Sequence, residues 1–425
     1  MPAGPLTLVR RLPGPVRLLV GGMLINRIGS FIVPYLTLVL QREFRLSAAV
    51  TGQLVMAFGI GTVCSVLLGG VLTDRMGRRR TLLVSLAGAG SLAVALPFAP
   101  SLTVFAALLV LYGFLADLYR PASSAMISDL LPSGQRALGF AALRVAVNLG
   151  FAIGMVLGGA LADWDWRALF VGDGATTLAF GLVVFAFVRE SRPAPHEQGP
   201  ASASAGISPW RDIVLLQACF ASLVYSQAFF ADFTVLPLTI TGSAGYPAVV
   251  YGLLVGLNGL LVAVFEMSIV DALRPFRRLR VSALGILVFA AGVAITGLVM
   301  HWAWFLFAVL LWTTGEILTL PQQMSFLADW APPEARGRYL ALHSATWSLA
   351  LAIGPALLLP LHERLGDAAF WPVVAAITAP AALVALRLDR VADRPELLRG
   401  RTTSERSLSS SAGGAEVPLP YEERR

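Results

Sequence analysis

The sequence predicts an all-α integral membrane protein, with twelve transmembrane helices arranged as two pseudo-symmetric bundles of six. Three observations carry that prediction. Hydrophobic residues make up 56% of the 425 residues and charged residues 13%, about half the charge of an ordinary soluble domain. That apolar content exceeds what one soluble core hides, so lipid is the expected solvent. The chain then divides into apolar runs of membrane-crossing length, and its second half repeats its first at a constant offset.

A spanning helix needs roughly 20 mostly apolar residues. Runs of that kind lie at approximately 16–40, 49–73, 80–99, 102–129, 138–162, 167–188, 212–238, 247–270, 281–300, 302–329, 339–361 and 369–387. The run from Leu18 to Leu40 follows Arg10, Arg11 and Arg17. It is too long for a signal-peptide core and lacks a small-residue cleavage site, so it is the expected first span. The division that follows is a cytoplasmic N-terminus at 1–15, a six-helix bundle at 16–188, a linker at 189–211, a second bundle at 212–387, and a tail at 388–425. The linker is rich in Pro, Ser, Ala and Gly, as flexible connections are. The polar tail is expected to be disordered.

All 32 basic residues are arginine, and the net charge is +7. Nucleic acid is not the implied partner, because the arginines sit in short loops between apolar runs. Every second loop holds most of them: Arg75, Arg78, Arg79, Arg80, Arg136, Arg189, Arg192, Arg211, Arg274, Arg277, Arg278, Arg280, Arg336 and Arg338. The alternate loops hold Arg42, Arg45, Arg167 and Arg364. The positive-inside rule then places both termini in the cytoplasm of a cell membrane. The two cysteines, Cys64 and Cys219, both fall inside apolar runs and form no disulfide framework or metal spacing.

The repeat is visible residue by residue. Pro121 and Asp129 answer Pro321 and Asp329; Pro132, Arg136 and Gly154 answer Pro332, Arg336 and Gly354. The basic loop after Asp74 answers the one after Asp271. Parallel six-helix repeats place a substrate site at their interface, near the bilayer midplane.

The strongest local signal is the loop Gly70-Val-Leu-Thr-Asp74-Arg75-Met-Gly77-Arg78-Arg79-Arg80. Gly77 permits a tight turn, and Asp74 sits at a helix end where it can pair with arginine. A topology-setting basic loop accounts for the arginines alone, but not for the order of Gly, Asp and Arg. This loop resembles the signature loop of the major facilitator superfamily. The resemblance spans roughly residues 16 to 387, every predicted helix. It implies that Asp74, Arg75 and Arg78, with Gly70, Gly77 and Arg79 beside them, form a cytoplasmic latch favouring the outward-facing state.

The run Gly150-x3-Gly154-Met155-x2-Gly158-Gly159 allows close helix approach. It resembles the fifth-helix motif of the antiporter branch, with Met155 where that motif has proline. The related position in the second half keeps the proline, as Gly354-Pro355. The arginine that drug antiporters often carry in the fourth helix falls at Leu109. Further stretches resembling a drug-efflux branch are Tyr251-Gly252 with Asn258-Gly259, Gly315-Glu316 with Pro321, and Arg336-Gly337-Arg338-Tyr339.

Charges inside a bilayer cost at least a few kcal/mol, so they face partners or an aqueous cavity. The deep ones are Arg27, Asp117, Arg120, Arg144, Asp173, Asp232, Glu266 and Glu316. Glu316 lies about 13 residues into its helix, near the midplane. It is the first choice for a protonatable coupling residue, and Asp117 is the second. Asp117 and Arg120 are three apart on one helix and can pair; a static pair explains them as well as a function does. Asp173, Asp232 and Glu266 fall nearer the membrane faces, where a packing role is favoured, and a packing role is also favoured for His343. Asn26, Arg27, Arg120, Arg144, Asn148, Gln227 and Asn258 are candidates for the substrate cavity. Interhelical hydrogen bonding accounts for each amide equally well.

The implied function is secondary transport: export of small amphipathic compounds by proton-coupled alternating access. It draws on a proton gradient and needs no cofactor, and a monomer embedded in lipid is the family expectation. Uptake of a sugar or organic anion by symport or uniport stands beside it, with Arg120 and Arg144 able to hold an anion. A non-transporting scaffold or sensor on the same fold is a third reading. The sequence has no nucleophile elbow, metal-ligand cluster or Gly-x4-Gly-Lys phosphate loop, which argues against an enzyme or an ATP-driven pump.

Overall fold

The computed structural model describes residues 12–191, 208–332 and 335–392. The segments expected as N-terminus, most of the linker and most of the tail, with Arg10, Arg11 and Arg192, lie outside the described residues. Within them the apolar runs are helical, apart from a break in the first. The first six spans are Gly14–Arg42, Ala48–Met76, Arg78–Phe98, Leu102–Leu130, Ser133–Trp164 and Trp166–Phe187. The next four are Ile213–Ser243, Ala248–Ala272, Arg278–Ile295 and Trp302–Trp330.

A last helical stretch, Arg336–Val391, is 56 residues long. At 1.5 Å per residue it would reach roughly 80 Å, far beyond a hydrocarbon core of about 30 Å. Gly366 breaks it, with φ 66° and ψ 171°, a left-handed backbone that favours glycine. The eleven candidate helices are therefore twelve spans, the eleventh at 336–365 and the twelfth at 367–392. An even number of crossings puts both ends of the described chain on one membrane face, called here the terminal face. The twelfth span runs to Ala392, past the expected boundary at 387.

Local chemistry sets the ends. Ser47, Ser101, Asp165, Asp212 and His301 each accept a backbone N–H in the first turn of the helix they begin. Gly77, at φ 94°, turns the second span into the third. A methyl group there would meet the Glu190 carboxylate at 2.6 Å, and that carboxylate accepts the N–H groups of Arg78 and Arg79 at 3.0 and 3.1 Å.

The first span departs from the continuous helix expected at 16–40. It breaks between Ile28 and Ile32. Gly29 lies hard against Thr176 of the sixth span, 1.7 Å from where a Cβ would stand. The N–H of Ile32, freed by the break, donates to Asp173 at 3.2 Å. A buried backbone N–H needs such a partner, and Asp173 supplies it from a neighbouring helix.

The repeat holds at the level of contacts. Arg78 pairs with Asp129 at 3.0 Å, and Arg278 pairs with Asp329. The two ion pairs are related by the same 200-residue offset and tie the third span to the fourth and the ninth to the tenth.

The bundles meet along two seams, second span on eleventh and fifth on eighth. Both seams are tight in the halves away from the terminal face. A Cβ on Gly59 would lie 2.3 Å from the Ala352 Cα, and one on Gly52 2.7 Å from the Pro355 carbonyl. A Cβ on Gly159 would lie 2.6 Å from the Val249 Cα, and one on Gly252 2.2 Å from the Met155 carbonyl. The Tyr35 and Tyr251 rings meet edge to face at 5.4 Å across the same closure. Small residues permit this approach where lipid gives no hydrophobic drive.

Candidate functional site: a cavity between the bundles

With the far face packed shut, the space between the bundles opens toward the terminal face. It is a cavity of about 810 Å³, within the range of small-molecule sites. Its two walls differ. The N-terminal bundle contributes Asn26, Arg27, Asp117, Tyr119, Arg120, Arg144 and Asp173, and the C-terminal bundle contributes Phe230, Phe233, Pro321, His343 and Trp347.

The polar wall is built from cross-braced helices. Asn26 donates to Thr177 at 2.8 Å, holding the first span to the sixth. The Asp173 carboxylate, 4% exposed, accepts from the Ile32 N–H at 3.2 Å, the Tyr112 hydroxyl at 3.3 Å and the Thr177 hydroxyl at 3.4 Å. Asp173 thus has a packing role, holding the break of the first span, and it also lines the cavity, which its position along the helix does not reveal. Arg27 donates to the Tyr119 hydroxyl. Its Nε is buried without a partner, and it pairs with no carboxylate among the described residues.

The other two arginines are paired. Arg120 bonds Asp117 at 2.9 Å, one turn away as the spacing predicts. Arg144 pairs with Glu266 of the eighth span, so this ion pair crosses from one bundle to the other. Both pairs face the same way. The arginine side chains are each 58% exposed, whereas Asp117 is 18% and Glu266 8% exposed. In each pair the arginine is the more exposed partner; Asp117 lines the cavity beside Arg120, whereas Glu266 stands behind Arg144, off the lining.

The apolar wall is aromatic. Trp347 stands 5.1 Å from Phe229 and 6.0 Å from Phe230, ring centre to ring centre, and Phe233 lies 6.0 Å from Phe151 of the opposite bundle. Edge-to-face contacts of this kind stiffen an aromatic surface. His343 lies within this wall, 3% exposed, with neither ring nitrogen bonded among the described residues.

Three cavity candidates are corrected. Asn148, Gln227 and Asn258 are not on the lining. Asn258 is buried and bonds Thr313 at 3.0 Å and the Glu316 carboxylate at 2.8 Å. Gln227 packs against Gly354, and both of its side-chain polar atoms are buried without partners among the described residues. Glu316 itself sits behind the wall, held by Asn258 between the eighth and tenth spans. Asp232, expected nearer a face, is 3% exposed with one carboxylate oxygen unpartnered among the described residues.

The glycine motif of the fifth span serves two neighbours. Gly150 and Gly154 meet the first span at Leu24, Arg27 and Ile28, Gly158 meets Phe31 and Tyr35, and Gly159 meets the eighth span. Met155, standing where the motif has proline, offers its carbonyl to the Tyr35 hydroxyl. In the loop that resembles the latch, Asp74 pairs with Arg78 of its own bundle at 3.5 Å. Arg79 bonds the carbonyls of Val188 and Phe185, closing the end of the sixth span. Gly70 has open space where a Cβ would stand.

Comparison with known proteins agrees with this architecture. The major facilitator superfamily profile matches residues 18–328. An MFS-type transporter of Bacillus subtilis, YttB, is 25% identical over 354 residues, covering 81% of this chain and 87% of that protein. A Na(+), Li(+), K(+)/H(+) antiporter of Planococcus maritimus is 27% identical over 372 residues, covering 79% and 87%. Among solved structures, a D-xylose–proton symporter superposes with a TM-score of 0.72 at 17% identity over 90% of this chain and 96% of that one. At that identity the likeness shows the fold alone.

Proposed function

Because the chain belongs to the major facilitator superfamily, we propose that it exports small amphipathic compounds in exchange for protons, by alternating access of one cavity. The carrying observation is the cavity itself: one charged wall, one aromatic wall, closed at one face and open at the other. An amphipathic molecule fits both walls at once. The arginine bias of the loops makes the terminal face cytoplasmic, so this conformation faces inward and is ready to take up cargo from the cell. Glu316, at the end of a short hydrogen-bonded chain from Asn258 and Thr313, is the proton-carrying residue of the C-terminal bundle, and Asp117 is the second choice. The similarity to a cation/proton antiporter supports exchange. In the opposite state the loop from Asp74 to Arg79 would close the cytoplasmic side. One chain holds the whole pathway, and the proton gradient supplies the energy without a cofactor.

A second reading has its own observation. The exposed guanidiniums of Arg120 and Arg144, together with Arg27, favour an organic anion as cargo, which this reading moves along with a proton. One experiment separates the two. Proteoliposomes receive a cationic or an anionic fluorescent amphiphile and an imposed pH gradient. Exchange drives the amphiphile against the proton flow, and co-transport drives it along. Movement that ignores the gradient would overturn both forms of proton coupling.

A further inference from the structure

The eighth span begins after Pro247, and no side chain of its own accepts its first N–H groups. Such groups are orphans at every helix start and are normally satisfied locally. Here the partner comes from the other bundle. One carboxylate oxygen of Asp163, near the end of the fifth span, accepts the Ala248 N–H at 2.9 Å, and the second accepts the Val249 N–H at 3.0 Å. The geometry follows from the glycine one turn earlier. Gly159 lets the fifth span lie against the backbone of Ala248 and Val249, and Asp163, four residues on, falls on the same helix face. Arg42 of the first span lies 3.6 Å from the same carboxylate.

We infer that Asp163 is a positioning residue of the transport cycle: a helix cap supplied across the bundle interface, which holds the far face shut while the cavity is open to the terminal face. Both hydrogen bonds join groups on different bundles, so opening of the far face must break both. The carboxylate also sits at the positive end of the eighth helix, which favours a negative charge there. Closure therefore gains a charge-assisted bidentate contact that the opposite state lacks. The repeat supplies a built-in comparison. Two hundred residues on, the equivalent of Asp163 is Glu363, which is exposed. The second span, the equivalent of the eighth, is capped from within by Ser47. The device belongs to one seam only.

The test is the width of the far face. Thr103 and Ala303 are exposed residues in the first turns of the fourth and tenth spans, one on each bundle and related by the repeat. In a Cys64→Ser, Cys219→Ser background, spin labels at Thr103→Cys and Ala303→Cys report far-face opening by electron–electron distance. Asp163→Ala raises the far-face-open fraction roughly tenfold, the scale of losing one good cap. Asp163→Asn keeps an acceptor and most of the shape, so it folds like wild type and gives a smaller rise. Glu363→Ala leaves the distribution unchanged. An open fraction in both Asp163 variants within twofold of wild type would overturn the inference. So would an equal shift from Glu363→Ala. If Asp163→Ala does not yield monodisperse protein, the Asp163→Asn result decides alone. The readout needs neither substrate nor pH gradient, so it stands or fails apart from what the cavity carries.

Discussion

Asp173 holds three donors from three places: the Ile32 backbone, the Tyr112 hydroxyl and the Thr177 hydroxyl. Asp173→Ala strands two buried donors of other helices, each of which costs about 1–3 kcal/mol when unmet. A loss of about 2 kcal/mol is expected, since the cavity lets some water in, and Asp173→Asn, which keeps an acceptor, should lose less. Thermal unfolding in detergent checks the order of the two. The Arg144–Glu266 pair behaves differently, because Arg144 is half exposed and solvent weakens the attraction. Arg144→Ala leaves the buried Glu266 without its counter-charge, at about 1–2 kcal/mol, below the figure for a fully buried pair. The double exchange Arg144→Glu with Glu266→Arg should restore transport that either single change lowers several-fold. No recovery in the double variant would assign the two residues separate roles. At this scale the sequence is a partial guide. Arg27, Arg120 and Arg144 are legible as cavity residues because charge in a bilayer must face partners or water. Asp173 is not, because counting along a helix gives depth but not azimuth. Asn148, Gln227 and Asn258 fail for the same reason.

Elements are far more legible. The length needed to cross lipid is fixed, so apolar runs mark the spans to within a few residues, and Pro and Gly mark many of their ends. The break in the first span is missed by counting apolar residues alone, yet Gly29-Ser30 and Pro34 mark it: proline has no N–H, crowds the Ser30 carbonyl and stands in the first turn of the new helix. What the sequence does not show is the acceptor on the sixth span that takes the freed Ile32 N–H, or the close approach of Gly29 to Thr176. Helix contacts also follow from the small residues once the seams are known. Gly59 has no room for a side chain, since a Cβ would lie 2.3 Å from backbone of the eleventh span. Gly59→Val should prevent closure of the far face, cutting transport at least tenfold while leaving each bundle folded. Overpacking of this kind costs about 1–3 kcal/mol, enough to reverse a preference between two states of similar energy. Transport in proteoliposomes, read beside the far-face spin-label distance, checks that both change together.

At the scale of the molecule, the 200-residue repeat fixes the architecture before any contact is known, and Arg78–Asp129 with Arg278–Asp329 shows it surviving as paired ion bridges. The conformational state is not legible in this way, since one sequence must serve both openings. Here the far-face seams, with their glycines and the Asp163 cap, accompany the opening at the terminal face. The cavity and Glu316 belong to different layers: the cavity lies between the bundles, while Glu316 is held behind its wall by Asn258. Under the proposed proton exchange, protonation within the C-terminal bundle must alter how that bundle meets the other, as differential stabilisation of two states demands. Glu316→Gln tests this cleanly, because the amide oxygen can still accept from Asn258 while the proton-binding function is gone. The decisive measurement is proton release from proteoliposomes on addition of amphipathic compounds, wild type against Glu316→Gln. Substrate-evoked release is expected in wild type and its loss in the variant, with substrate binding retained. Release that persists undiminished in Glu316→Gln would contradict the assignment of the coupling proton, and absence of release in wild type across cationic and anionic compounds would contradict exchange itself.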